Sequence, residues 1–466
     1  MRREDILILG AGPSGMAAAF QLHQGGVPCT VVEARDSVGG LSRTLHFKEF
    51  STDIGPHRFY SENQLLYDII TDLLGDRWVP GERLSRFYIG GKLYDFPKIR
   101  KGLLVAGPYK TARIGVDYLW ERLKGIAGKK SDNFEQLVVS SFGRTLAELN
   151  VLNFTEKFWG LPCDQISPDW ADERLFDISV GRMLKKMVPG LSVVTRNLAN
   201  GFHYPDSGIG LIWDEMKVRA QKSATFMMGS RPVKIVHDGK NITNVVVEKG
   251  DGMVAFRPLN VISSIPVTEF LKILEPGPPE DVLDAADHLK FRSHISLLIT
   301  LDKENVFPDN WLYFPERDIP FARVMEPKNF SRHMAPDGKT SLLVELFCQY
   351  GDHTWNAGED ELFEQSLMWL EKMGFVKKSE VIDRVIIDKE RYAYPVYDLG
   401  YSRWRGAVMD YLAGFDNLQA IGRGGDFLYN NMDTAMEMGI QAAQDIAKRS
   451  SIGEKEGAVN EQYIRE

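Results

Sequence analysis

The chain has 466 residues, 44% of them hydrophobic and 26% charged, with a formal net charge of −8. This ordinary globular composition excludes disordered and collagen-like chains, and the acidic balance argues against wholesale nucleic-acid binding. Three widely spaced cysteines (Cys29, Cys163, Cys348) exclude a disulfide framework and a thiolate zinc cage, and fit a reducing, cytoplasmic compartment. No His/Asp/Glu cluster has metal-ligand spacing, so no metal is expected. No apolar run approaches the roughly 18 residues that a membrane span needs.

In chain order, residues 6–9 predict a short buried strand, and Gly10-Ala11-Gly12-Pro13-Ser14-Gly15 a turn. A helix to about residue 24 follows, carried by Met16, Ala17, Ala18, Ala19 and Leu22 and stopped by Gly25-Gly26. Residues 27–33 form the next strand and complete a β-α-β unit. From 63 to about 196 the pattern is mostly helical, with one hairpin at 87–96 turning on Gly90-Gly91. Residues 226–258 read as β, with turns at Asp238-Gly239 and Gly250-Asp251-Gly252, and 259–264 as a further strand. Long strands at 293–301 and 341–348 imply a second sheet. Residues 418–421 form a strand that leads into Gly422-Arg423-Gly424-Gly425 and then a helix from about 433 to 449, the same succession that begins the chain. One stretch, 98–130, holds nine basic residues against two acidic ones, Asp117 and Glu121. With Leu103, Leu104, Tyr118, Leu119 and Trp120 it suits peripheral contact with an anionic membrane or with a phosphorylated ligand; the plainer alternative is a solvated helical face.

The spacing of Gly10, Gly12 and Gly15 between strand and helix, with Glu33 ending the next strand, is a dinucleotide fingerprint. Gly10 permits the tight turn, Gly12 lets the backbone approach a pyrophosphate, and Gly15 lets the helix pack on the strand. Pro13 and Ser14 open the helix, whose N-terminus offers free N–H groups to phosphate oxygens. Glu33 can accept hydrogen bonds from ribose hydroxyls. Behind it, Ala34 leads to a second glycine pair, Gly39-Gly40, then Leu41, which allows a second backbone approach to the diphosphate. This double pattern resembles the FAD-binding proteins of the amine oxidase and protoporphyrinogen oxidase superfamily. Arg231-Pro232-Val233-Lys234 resembles their strand beside the adenine, with Val233 meeting the adenine edge through its backbone. Residues 259–266 resemble the strand that closes their cofactor domain.

Further motifs are similar to those of UDP-galactopyranose mutases, nearest the eukaryotic-type branch. They are Asp53-Ile54-Gly55-Pro56-His57-Arg58-Phe59-Tyr60; Phe158-Trp159-Gly160-Leu161-Pro162 with Ala171-Asp172-Glu173-Arg174; and Phe202-His203-Tyr204-Pro205 with Trp213. Trp311-Leu312-Tyr313-Phe314-Pro315-Glu316 leading to Arg323, Ala393-Tyr394-Pro395, and Gly422-Arg423 with Tyr429 complete the set. In that family reduced FAD supplies N5 as the nucleophile toward the anomeric carbon of a sugar nucleotide. The diphosphate leaves, and the sugar recloses with a different ring size and no net redox change. The resemblance implies that Arg174 and Arg323 hold the diphosphate, because guanidinium forks match phosphate oxygens. It gives His57 a place beside the flavin and makes Trp159, Tyr313, Tyr394 and Tyr429 substrate-binding. Gly422, Arg423 and Met432 would meet the cofactor. Trp159 equally suits the core, and Arg174 adjoins Asp172 and Glu173 as a surface ion pair would.

The expected architecture is α/β: a Rossmann-type FAD-binding domain assembled from 1–62, 226–270 and 415–449. Residues 63–200 form an inserted, mainly helical cap, 201–225 with 271–414 a mixed-sheet substrate domain, and 450–466 a flexible tail. The expected activity is that of an FAD-dependent mutase on a nucleotide- or phosphate-activated sugar, with a sugar diphosphate as substrate and NAD(P)H as reductant. The alternative is net FAD-dependent oxidation. The stretch Asp95-Phe96-Pro97-Lys98-Ile99 stands where eukaryotic-type mutases present tyrosine and glutamine to uracil, and Leu428 and Asn431 replace polar or charged residues. The nucleotide is therefore left open.

Overall fold

The first sheet is arranged around strand Arg2–Leu9, whose Ile6, Leu7, Ile8 and Leu9 are at most 2% exposed. A strand covered on both faces reads as an unbroken apolar run, and this one does. The computed structural model describes residues 2–95, 107–125, 131–174 and 201–464. Cys29–Val32 pairs in parallel on one side of the central strand and Gly252–Ser263 on the other, so Leu7 faces both Thr30 and Val261. Strand Gly252–Ser263 changes partners along its length. Its first half runs antiparallel to Ile242–Lys249, and its last three residues run parallel to Leu418–Ala420. Ser230–His237 and Leu274–Glu275 extend one edge, and Ala224–Met227 forms the other.

Helix Pro13–Gln24 lies between helices Leu211–Ala220 and Met432–Ile464. Proline fits its first position, where an N–H would have no partner within the helix. The close crossing depends on a glycine: a Cβ on Gly439 would stand 2.1 Å from the Ser14 carbonyl oxygen.

The second sheet runs in the order Val381–Pro395, Phe291–Leu301, Thr340–Cys348, Arg323–Met325, Trp311–Tyr313, Ser85–Ile89, Lys92–Asp95. Every residue of Phe291–Leu301 is buried, yet its two faces differ. Ile295, Leu297, Ile299 and Leu301 pack with Leu362, Phe363, Leu367 and Leu370 of helix Glu359–Lys372. The opposite face presents His294, paired across strands with Phe347 and Glu390, and Ser296, paired with Glu345 and Asp388. The two-residue period thus turns a dry face toward the helix and a polar face the other way.

Three expected boundaries shift. The hairpin belongs to the second sheet and not to a helical cap, and strand Trp78–Glu82 precedes it. Within 201–225, Leu211–Ala220 packs on Pro13–Gln24 and Ala224–Met227 is an edge strand of the first sheet, whereas Gly201–Pro205 pairs with Trp78–Glu82 in a separate two-stranded sheet. The last helix runs from Met432 to Ile464, beyond the expected end at 449, because its polar final stretch keeps helix formers such as Glu, Lys and Ala.

Candidate active site

Two glycine turns abut at the C-terminal end of the central strand. Gly10 (φ +98°) donates its amide to the Val32 carbonyl at 2.8 Å, and a Cβ on Gly15 would lie 2.0 Å from the Gly10 oxygen. A Cβ on Gly40 would come within 2.9 Å of the Gly12 Cα, so backbone meets backbone across the gap. Gly39 donates to the Ala11 carbonyl (2.8 Å), while Trp213 donates its indole N–H to the Ser42 carbonyl (3.0 Å) and packs where a Gly39 side chain would be. Glu33 holds the first turn directly: its carboxylate accepts the amides of Ala11 (2.7 Å) and Arg35 (2.9 Å). Each of its oxygens keeps a lone pair for a ribose hydroxyl. Ala34 lies between those contacts, and Leu41 sits in the turn Gly40–Ser42. Val233 falls at a register shift between Pro232 and Lys234 and is left out of the ladder with Ile242–Lys249, which frees its backbone. This backbone-lined cradle fits a dinucleotide diphosphate.

Arg43, not anticipated from the sequence, braces the cradle. It is 3% exposed and donates to the Gly40 carbonyl (2.5 Å), to Glu390 (2.8 Å) and to Asp388 (2.5 Å). Arg35 adds a second bond to Glu390 at 2.7 Å. Burial and the nearby Asp388 push the Glu390 carboxyl upward, against the pull of Arg35 and Arg43. The cluster ties the cofactor turn to strand Val381–Pro395.

The loop after Asp53 joins the two sheets. Asp53 is buried and accepts hydrogen bonds from Thr44 (2.7 Å), Tyr204 (2.6 Å) and the Ile209 amide (3.2 Å). Burial raises its carboxyl to about 7 despite those three donors. Gly55 (φ +83°) then presses on the second sheet, for a Cβ there would stand 2.6 Å from Glu345 Oε1. Next comes His57, whose Nδ1 is 3.2 Å from the Gly55 carbonyl. A carbonyl only accepts, so Nδ1 carries the proton and Nε2 offers its lone pair. Burial, then Arg423 and Arg323, hold this imidazole down to about 4, outweighing Glu345 and Gly55. His57 is therefore neutral, chiefly because it is buried. Arg58, also unforeseen, is lowered to about 10 by burial and by Arg83, beside Tyr313 and Tyr60.

Arg323 has a partner within the protein. Its Nε and Nη2 both bond to Glu345 at 2.7 Å, and Nη2 lies 3.4 Å from the Tyr394 hydroxyl. Residues 323 and 345 are direct cross-strand partners, and a guanidinium 6% exposed needs a counterion. One fork is thus committed within the protein rather than held open for phosphate. Burial pushes Glu345 up, but Arg323 and His294 (3.0 Å) prevail and hold it at about 2. The same carboxylate raises Arg323 against the burial that lowers it.

Arg423 supplies the other charge. Gly422 (φ +75°) sits against Ser14, where a Cβ would be 2.4 Å from Oγ, so Arg423 leaves the cofactor turn directly. It donates to the carbonyls of Ala393 (3.1 Å) and Asn430 (2.5 Å). Its guanidinium carbon lies 4.9 Å from the Tyr394 ring centroid and 5.3 Å from that of Tyr429, and the two rings stack 5.7 Å apart. His57, Arg323, Tyr394, Tyr429 and Arg423 therefore converge, with Tyr313 beside them, stacked on Phe87 at 4.7 Å. Trp159 is 2% exposed and enclosed by Phe158, Trp170, Tyr394 and Tyr429. Arg174 ends helix Asp169–Arg174, and its side chain lies outside the described residues, as do Phe96, Pro97, Lys98 and Ile99. Met432 is the first residue of the last helix.

A family model described as flavin containing amine oxidoreductase matches residues 13–447. The chain belongs to that family. This flavoenzyme's cofactor is FAD, which the cradle fits. Among curated relatives, mouse lysine-specific histone demethylase 1B is 28% identical over 232 residues, 46% of this chain and 28% of its own length. A probable UDP-galactopyranose mutase of Klebsiella pneumoniae is 23% identical over 173 residues, 34% of this chain and 42% of its own length. The chain thus spans less than half of each of these relatives. A crystal structure of reduced UDP-galactopyranose mutase shares the fold with a TM-score of 0.83 and 21% identity, over 96% of this chain and 94% of that one.

Proposed function

We propose that this flavoenzyme is a mutase acting on a nucleotide- or phosphate-activated sugar in a reducing cytoplasm, with NAD(P)H as the source of electrons. The observation that carries the reading is Arg423 lying over the stacked rings of Tyr394 and Tyr429, next to the Arg323–Tyr394 contact. Two arginines against one carboxylate, Glu345, leave the wall net positive. Such a wall attracts a diphosphate and repels an ammonium substrate. Reduced FAD in the cradle would supply a nucleophile for the anomeric carbon.

The chain's own groups do the rest. Arg423 stabilises negative charge as it builds on the departing diphosphate, and the Tyr394 and Tyr429 hydroxyls are placed to donate to its oxygens. Glu345 keeps Arg323 oriented. His57 stays neutral and can accept a hydrogen bond from a sugar hydroxyl at Nε2. The rings of Phe158 and Trp159 exclude water behind the tyrosines. The family match also supports a second reading, net oxidation of a substrate by bound FAD.

The test is anaerobic, dithionite-reduced enzyme mixed with UDP-galactopyranose and a panel of other sugar nucleotides, with products separated by chromatography. A ring-isomerised product, formed only by the reduced enzyme and reduced about 100-fold or more by Arg423→Lys, is expected. No isomerised product from any sugar nucleotide, together with oxygen uptake on an uncharged substrate, would favour the oxidase.

A further inference from the structure

Helix Gly107–Gly125 docks in the reverse of the usual sense. Its acidic residues face the protein: Asp117 accepts the Thr145 amide (3.1 Å) and hydroxyl, and Glu121 is partly covered and pairs with Lys124 (2.8 Å). The contact is tight, since a Cβ on Gly143 would lie 2.9 Å from the Tyr118 nitrogen. Ile114 is also buried, but four other large apolar residues point outward. Val116, Leu119, Trp120 and Leu123 are 65%, 63%, 59% and 64% exposed. Their spacing places all four on one stripe of the helix. Helix Glu359–Lys372 shows the ordinary arrangement, with Leu362, Phe363, Leu367 and Leu370 buried and Glu359, Asp360 and Glu361 in its first turn.

Basic groups edge the exposed stripe. Arg113 and Lys124 are exposed, and the Lys124 ammonium lies 5.6 Å from the Trp120 ring centroid. A contiguous apolar stripe with a cationic rim marks a docking surface. Among the described residues no helix is long and apolar enough to cross a membrane, so the stripe can only lie along a surface. Two-fold pairing with a second copy would bring the Arg113 and Lys124 groups of both chains together, along with the rest of a segment that carries nine basic and two acidic residues. Anionic lipid has the complementary charge and takes the apolar side chains, while lysine and arginine reach the headgroups.

We propose that helix Gly107–Gly125 seats the protein on an anionic membrane surface, with Val116, Leu119, Trp120 and Leu123 at the headgroup–acyl boundary. The experiment is co-sedimentation of the full-length, flavin-loaded protein with vesicles of phosphatidylcholine alone and of phosphatidylcholine with about 30% phosphatidylglycerol, at low and high salt. Pelleting with the anionic vesicles is expected, weakened by salt, and cut about tenfold or more by Leu119→Ser combined with Leu123→Ser. Lys124→Glu should weaken it less. All of these side chains are exposed, so flavin content and melting temperature should match the wild type. Failure to pellet with anionic vesicles, or equal and salt-independent pelleting with both kinds, would overturn the proposal. A concentration-dependent dimer abolished by the double variant would also overturn it, in favour of a second copy.

Discussion

The cofactor cradle and the wall across from it are made of opposite materials. The cradle is backbone: Gly10, Gly12, Gly15, Gly39 and Gly40 leave room where side chains would collide, and amides and carbonyls face the gap. The wall is charge: Arg323, Glu345, His294, Arg423 and two tyrosines, drawn from four strands and a C-terminal turn. A backbone site fails by steric intrusion and an ionic site by loss of a partner, so the two break differently.

The largest effect should come from filling the cradle. A Cβ at Gly15 already stands 2.0 Å from a carbonyl oxygen, so Gly15→Val must push the helix off its strand. We expect a loss above about 3 kcal/mol and protein that purifies without flavin absorbance. Yellow, normally melting Gly15→Val protein would refute the geometry. Glu345→Gln attacks the wall instead. It leaves a buried guanidinium without its counterion, which costs roughly 3 kcal/mol, while the cradle is untouched. Its melting temperature should fall although flavin is still bound, which separates the two materials in one pair of assays.

The next contrast is between Asp53 and His57, four residues apart at the seam of the two regions. The folded chain holds Asp53 at about 7 against 3.8 unfolded, so this group makes stability fall as pH rises from about 4 to 7. It holds His57 at about 4 against 6.5, so this group makes stability fall as pH drops from 6.5 to 4. Between about 4 and 6.5 the native state has protonated Asp53 and neutral His57, and the unfolded chain the reverse, so their proton counts cancel. Relative to wild type, His57→Gln should gain stability on acidification through that window, and Asp53→Asn should gain it on raising the pH. Each slope should approach about 1.4 kcal/mol per pH unit. Parallel pH profiles for both variants would show that the seam does not titrate this way.

The same division of materials explains what could be read in the chain. The cradle was legible because each glycine acts on its near neighbours, and the run from Ile6 to Glu33 contains strand, turn, helix and acid in order. The wall was legible only in part. Tyr394 and Arg423 stood out as motif residues, but the commitment of Arg323 to Glu345 depends on strand register between residues 22 apart in the chain. A trace of it was present: Glu345 is a lone charge within the apolar run 341–348, and such a charge demands a buried partner. Asp388 and Glu390 gave no such hint, because they alternate with Ile387 and Lys389 as on any half-exposed strand. Arg43 hid behind the glycines it supports.

The smallest predicted effect closes the comparison within a single seam. Arg43 and Lys48 both bridge from the segment after the second glycine turn to strand Val381–Pro395, the first to Asp388 and Glu390, the second to Asp383. The Arg43 side chain is 4% exposed and that of Lys48 61%. Water and salt already screen the lysine pair, so Lys48→Ala should change stability by less than about 0.5 kcal/mol. Arg43→Ala takes the buried partner from Asp388 and Glu390, leaves them only the more exposed Arg35, and frees the Gly40 carbonyl, so its cost should be roughly 2 kcal/mol. Because Arg43 also holds the cofactor turn, that variant should bind flavin more weakly, whereas Lys48→Ala should bind it normally. Equal losses for the two variants in denaturant titrations would mean that burial does not set the strength of this seam.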